Sequence, residues 1–199
     1  MLNVDFWQNR YATHNTPWDL GEASPHFVEF LKQRPDWLKP GKMAVPGSGR
    51  GHDAALFAQA GFDVIGFDYA PGAIQEAQTR YGQIARFQQA NLFDMAQPDS
   101  PWAGQFDYVL EHTCFCAILP QERPAYVKSV QNLLKPSGYL IGVFWEHQDP
   151  DGPPFSTTET QIRSDFQTAF ELVSIQPKAP ADDRSGTERL VILRRTIDV

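Results

Sequence analysis

Cysteine is scarce in this chain of 199 residues, which has two, Cys114 and Cys116. They stand two apart in a segment that reads as a strand, poor geometry for a mutual disulfide, and free thiols in a reducing compartment are expected. The five dispersed histidines form no Cys/His spacing pattern with them, which argues against a metal site. Basic clusters are also missing. None is longer than the pair Arg194-Arg195, and with a net charge of -7 the chain has no electrostatic footprint for nucleic acid or anionic lipid. No apolar stretch approaches the roughly 20 residues that cross a bilayer, and the opening "MLNVDFWQNR" lacks the basic-then-apolar order of a signal peptide. These absences predict a cytoplasmic protein that acts on a small molecule, with no nucleic-acid or membrane partner, and a monomer is the favoured state.

What is present is a hydrophobic content of 42%, enough for one sizeable core in a chain short for two domains. Ser24 as N-cap and Pro25 at the first helical position open a helix along "PHFVEFLKQ". Strand and helix then alternate. "MAV", "DVIGFD", "ARFQQAN", "FDYVLEHT" and "YLIGVFW" read as strands. "HDAALFAQA", stopped by Gly61 in the C-cap position, "PGAIQEAQTRY" and "PAYVKSVQNLL" read as the helices between them. Such alternation predicts a largely parallel sheet with helices on both faces. Thr158 and Gln161 form a capping box for "ETQIRSDFQTAF", and "ELVSIQ" and "RLVILRR" supply two closing strands. The Pro/Gly-rich loop at 149–154 is too short for a domain linker and is expected to border a site.

Residues 45–53, "VPGSGRGHD", follow the first strand with three glycines at alternate positions, Gly47, Gly49 and Gly51. A strand, a glycine loop and a helix present free backbone N–H groups to a polar or anionic ligand. The loop lacks the Gly-Lys-Ser/Thr ending of a P-loop, which disfavours triphosphate hydrolysis. Asp68 ends the next strand, where an acidic residue meets the hydroxyls of an adenosine ribose. Gly49, Gly51 and Ala54 also satisfy the dinucleotide pattern, so the loop alone leaves a nicotinamide oxidoreductase open. Size favours S-adenosylmethionine, which needs one mononucleotide-binding half where a dinucleotide needs two.

Seven stretches, "FWQNRYATHNTPWDLG", "VPGSGRGHD", "VIGFD", "ANLFD", "EHTCFCAILPQERPAY", "LLKPSGYLIG" and "GPPF", occur in the order found in the thiopurine S-methyltransferase family, including its thiol, thiocyanate and halide methyltransferase branch. The chain resembles that family of class I methyltransferases over nearly its whole length. The resemblance implies a three-layer, Rossmann-like α/β fold whose seven strands are mostly parallel with an antiparallel C-terminal strand. It implies one domain over 1–199, with residues 1–22 folded as a lid over S-adenosylmethionine. Trp7, Tyr11 and Trp18 match family positions that contact this cofactor. Gly47 and Gly49 lie in its glycine loop, Asp68 at its ribose, and Asn91 and Leu92 flank its adenine. Arg123 matches a position near the methyl acceptor. At His112 related sequences commonly carry Tyr, and this departure bears on the choice of acceptor.

Methyl transfer from a sulfonium is an in-line displacement governed by positioning and exclusion of water. A thiol, sulfide, thiocyanate or halide needs little further activation. The expected activity is therefore methylation of a small soft nucleophile, with His112 and Arg123 orienting it or favouring its anionic form. An oxygen or nitrogen acceptor would require a positioned base, for which Glu111 or His112 is the candidate. A non-catalytic module that senses S-adenosylmethionine is the remaining alternative.

Overall fold

A computed structural model describes residues 2–197, so Met1, Asp198 and Val199 of the expected domain lie outside the described residues. The strands β1 (Lys42–Pro46), β2 (Asp63–Asp68), β3 (Arg86–Gln89), β4 (Phe106–His112), β5 (Leu134–Glu146), β6 (Phe170–Lys178) and β7 (Thr187–Arg195) form one sheet in the order β3-β2-β1-β4-β5-β7-β6. The first five pair in parallel. Only β7 is inverted, running antiparallel to β5 and to β6. This is the seven-stranded, mostly parallel α/β sheet that the sequence predicts.

Period-two alternation along the strands divides the core between the two faces. Met43 and Val45 of β1 face α2 (Pro25–Gln33), α3 (His52–Gln59) and α4 (Pro71–Tyr81), packing with Phe27, Phe57 and Ile74. Ala44 faces the opposite side, where α5 (Arg123–Leu133) and α6 (Glu159–Phe166) contribute Tyr126, Val130 and Phe166. Phe27, Phe57 and Phe106 are fully buried. Each such ring stabilises the fold by about 1.5–3 kcal/mol.

From β1 the chain builds outward to β2 and β3, then returns to build β4 and β5 on the other side. The carboxyl ends of β1 and β4 thus flank a topological switch point, the place where open α/β sheets bind ligands.

Three expectations are corrected. Cys114 and Cys116 are not on a strand. β4 stops at His112, Thr113 turns the backbone into the left-handed region at φ 61°, and Phe115–Ala117 is a turn of 3-10 helix. The cause is Glu111, whose carboxylate accepts the Cys114 and Phe115 backbone N–H groups at 2.9 and 2.8 Å and competes with the sheet for them. Ser24 precedes α2, but its hydroxyl caps nothing; its backbone N–H donates to Asp53 at 2.8 Å. The helix expected to reach Phe170 ends at Phe166, because Phe170 already pairs with Arg195 in the sheet. The Thr158–Gln161 capping box forms as expected.

Candidate active site

The carboxyl edge of the sheet carries a cavity of about 430 Å³. Its floor is the glycine loop. Gly47 adopts φ +62°, and a Cβ there would stand 2.8 Å from Cβ of Cys114, so only glycine lets the β1 and β4 loops meet. The Gly49 N–H donates to one carboxylate oxygen of Asp68 and the Ala70 N–H to the other, both at 2.9 Å. Burial raises the Asp68 carboxyl to about 6 in spite of these donors.

One wall comes from α1 (Val4–Ala12) and the turn after it. Asn3 caps α1 by accepting from the Phe6 N–H at 3.0 Å, and the Gln8 side chain accepts from the Gly72 N–H at 2.8 Å, tying α1 to the first turn of α4. Trp7 and Tyr11 each meet Trp18 edge to face, with centroids 5.7 and 6.2 Å apart, and all three rings line the cavity. Asn91 and Leu92 line it beyond β3, where the Asn91 side chain accepts from the Phe93 N–H at 3.1 Å and fixes the turn.

The far end is built from pieces distant in sequence. Trp145, at the end of β5, lies under the Arg184 guanidinium at 4.5 Å and donates its indole N–H to Ser185 at 3.2 Å. Asp182 and Glu188 hold Arg184 at 2.8 and 2.9 Å. Pro153 and Pro154, from the loop expected to border a site, complete this end together with Cys116. Both cavity thiols are half-buried, and desolvation is the main cause that pushes that of Cys116 up to about 12 and that of Cys114 well above its usual range. They stay protonated at neutral pH and are poor nucleophiles.

His112 and Arg123 stand differently. His112 lies beside the cavity, lining a recess of about 50 Å³ that also touches Gly47, Ser48 and Trp18. Asp53 accepts or shares the proton at its Nδ1 at 2.7 Å, while Nε2 is buried with no partner. Burial pulls the imidazole pKa down, but the Asp53 charge and hydrogen bond outweigh it and the net direction is up. Arg123 is outside the cavity lining. Its guanidinium rests over Phe115 at 4.5 Å and donates to the Phe155 and Ser156 carbonyls and to the Thr157 hydroxyl at 3.4, 3.2 and 3.1 Å, anchoring the segment that follows the two prolines.

Residues 2–189 match the thiopurine S-methyltransferase (TPMT) family. The chain belongs to this family. Thiocyanate methyltransferase 1 of Brassica oleracea is 34% identical over 92% of this chain and 82% of that protein. The Arabidopsis thaliana protein of the same name is 32% identical over the same shares. In fold, a solved 1,6-didemethyltoxoflavin-N1-methyltransferase from Burkholderia thailandensis superposes with a TM-score of 0.76 at 20% identity, covering 98% of this chain and 87% of that one. Membership in the TPMT family makes the protein an S-adenosylmethionine-dependent methyltransferase and decides against the nicotinamide alternative.

The residues present fit that cofactor. Both Asp68 oxygens retain a lone pair for ribose hydroxyls after accepting one backbone N–H each. Ser48 and His112 line the recess beside the glycine loop, where a polar amino-acid end would meet polar residues. Sequence reasoning missed Trp145 and Arg184. The first is visible only as the last residue of a strand, and the second lies in a polar loop with no motif of its own.

Proposed function

We propose that this TPMT-family enzyme methylates a small soft nucleophile of the thiol, sulfide, thiocyanate or halide type. The observation that carries the reading is the Trp145–Arg184 wall, a weakly hydrated guanidinium face laid on an indole at the end of an otherwise largely apolar cavity. The Arg184 charge is already met by Asp182 and Glu188, so this end suits a polarisable acceptor over a strongly hydrated anion. Bound in the cavity, S-adenosylmethionine supplies an electrophilic methyl group on a sulfonium. Asp68 and Asn91 would hold its nucleoside end, with Leu92 against the base, and Gly47 and Gly49 would allow the backbone to approach. Trp7, Tyr11 and Trp18 would offer ring faces to the sulfonium and exclude water, an interaction worth about 2 kcal/mol when desolvated.

The acceptor's lone pair forms the new bond to the methyl carbon as the carbon–sulfur bond to the leaving S-adenosylhomocysteine breaks, so alignment is the main demand on the protein. Arg184 would orient the anion. Arg123 acts one step back, fixing residues 155–157 and with them the proline wall. His112, pinned by Asp53, lines the recess beside the glycine loop and orients what lies there. The chain is read as one domain whose first 22 residues close over the cofactor, a monomer working in the cytoplasm. That reading is supported by the single sheet and by α1 lining the cavity, and no described helix is long and apolar enough to cross a membrane.

The test is release of S-adenosylhomocysteine by the purified protein offered hydrosulfide, aryl thiols, thiocyanate, iodide and catechols. Turnover is expected with the soft nucleophiles, with Arg184→Ala raising KM for the anionic ones. Turnover of catechols alone would overturn the assignment in favour of a base-assisted oxygen acceptor.

A further inference from the structure

Arg50 sits in the glycine loop but points away from the cavity, into a knot of charges between that loop, the segment after α1, and α4. Its Nη1 donates to the Thr16 hydroxyl at 2.7 Å and to the Asp19 carboxylate, and its Nε donates to Glu76 at 2.6 Å. The guanidinium also lies 5.5 Å from the centre of the Tyr11 ring. Asp19 is held from two further sides, by His52 at 3.4 Å and by the Gly21 N–H at 2.9 Å. These partners, the His52 hydrogen bond first, keep the Asp19 carboxyl well below the usual range, so Asp19 meets Arg50 as a carboxylate at neutral pH. Thr16 and Asp19 flank Trp18, and both Tyr11 and Trp18 line the cavity.

We propose that Arg50 is a positioning residue, a latch that holds residues 4–22 shut over bound S-adenosylmethionine and sets how long the cofactor stays, without touching it. The proposal rests on the cofactor reading above. A ligand gripped by Trp7, Tyr11 and Trp18 only when they are closed binds with an affinity scaled by the fraction of molecules that are closed. Removing the guanidinium leaves Asp19 beside His52 and Glu76 beside Arg80 of its own helix, 4.0 Å away, with no group joining the two carboxylates, which favours the open form. Gln8 to Gly72 then remains as a hydrogen bond between this segment and α4, beside the packing of Trp7, Tyr11 and Trp18 against Ala73. Lysine keeps the charge but, with one ammonium head, cannot reach both carboxylates and Thr16 in the fixed fork geometry of arginine.

The experiment is stopped-flow binding and release of S-adenosylhomocysteine, read by Trp fluorescence, with amide hydrogen exchange on the same proteins. Arg50→Met is expected to speed release and weaken affinity by about tenfold or more, with Arg50→Lys between it and wild type. KM for S-adenosylmethionine should rise while KM for the acceptor does not. Exchange should quicken over 4–22 and stay unchanged in β1, β2 and β4. Release within about twofold of wild type would overturn the latch, as would loss of protection spread evenly over the sheet. Failure of the wild-type protein to bind S-adenosylhomocysteine at all would overturn the cofactor reading instead.

Discussion

Lowering the pH should loosen the cofactor through Asp68. The carboxyl is 8% exposed, and burial raises it from 3.8 to about 6 although the backbone N–H groups of Ala70 and Gly49 donate to it. A rise of that size means the folded, cofactor-free protein binds this proton about 3 kcal/mol more tightly than the unfolded chain does. Asp68 therefore contributes stability that is full below about pH 4 and is lost as the pH climbs through about 6. Ribose hydroxyls act in the opposite sense. They donate to the ionised form, so binding must expel the proton wherever Asp68 still carries it. Affinity for S-adenosylhomocysteine should be flat above about pH 7 and about tenfold weaker at pH 5. Asp68→Asn cannot titrate, and its profile over this range should lack the step. It also offers one acceptor oxygen to two backbone donors, which leaves one N–H unpaired at a cost of about 1–3 kcal/mol. Isothermal titration calorimetry at a series of pH values, with melting of the cofactor-free proteins alongside, isolates the residue as the difference between the two profiles. Parallel decline of wild type and Asp68→Asn would refute the reasoning.

Two further substitutions probe the walls. Gly47→Ala places a Cβ 2.8 Å from Cβ and 2.9 Å from Sγ of Cys114, at φ +62°. Thermal melting should show a loss of about 1–3 kcal/mol and calorimetry weaker S-adenosylhomocysteine binding. Adding Cys114→Ala should restore part of it, because the sulfur leaves while the Cβ stays. Arg123→Ala strips donors from two carbonyls and a hydroxyl that are packed against the core, and should cost about 2–4 kcal/mol in a urea titration. In kinetics it should raise KM for the acceptor more than KM for S-adenosylmethionine, since the segment it anchors follows Pro153 and Pro154.

The strands were readable because their apolar runs are short and bounded by Gly, Pro and polar turns, and the β1–Gly–α3 unit with Asp68 in register marks the ligand edge by local chemistry alone. The cysteine segment was misread for an equally physical reason. "VLEHTCFCAI" continues the apolar pattern of β4, and its break depends on the Glu111 carboxylate folding back on the Cys114 and Phe115 amides with Tyr126, 15 residues on, donating its hydroxyl to the same group. Ser24 looked like a cap because its neighbours suit one, yet the acceptor that matters is Asp53, 29 residues away. Arg184 and Trp145 come together only through strand pairing across β5 and β7. Arg123 sits at a motif position, but which acceptors its guanidinium meets depends on where residues 155–157 pass.

The reversal of β7 has a consequence for how such an enzyme can change. Because β7 begins beside the carboxyl end of β5, with Thr187 opposite Glu146, the hairpin that joins it to β6 returns to the ligand edge and carries Asp182 and Arg184 there. A strand running with the others would have sent that connection to the far side of the sheet. The residues proposed for the nucleoside end all precede 93, and the hairpin at 179–186 reaches the other end of the same cavity from the last part of the chain. On the reading proposed above, acceptor preference would be written in a short, graftable segment. Descent or design can rewrite it, lengthening or recharging the hairpin, while the machinery that grips the methyl donor is inherited untouched.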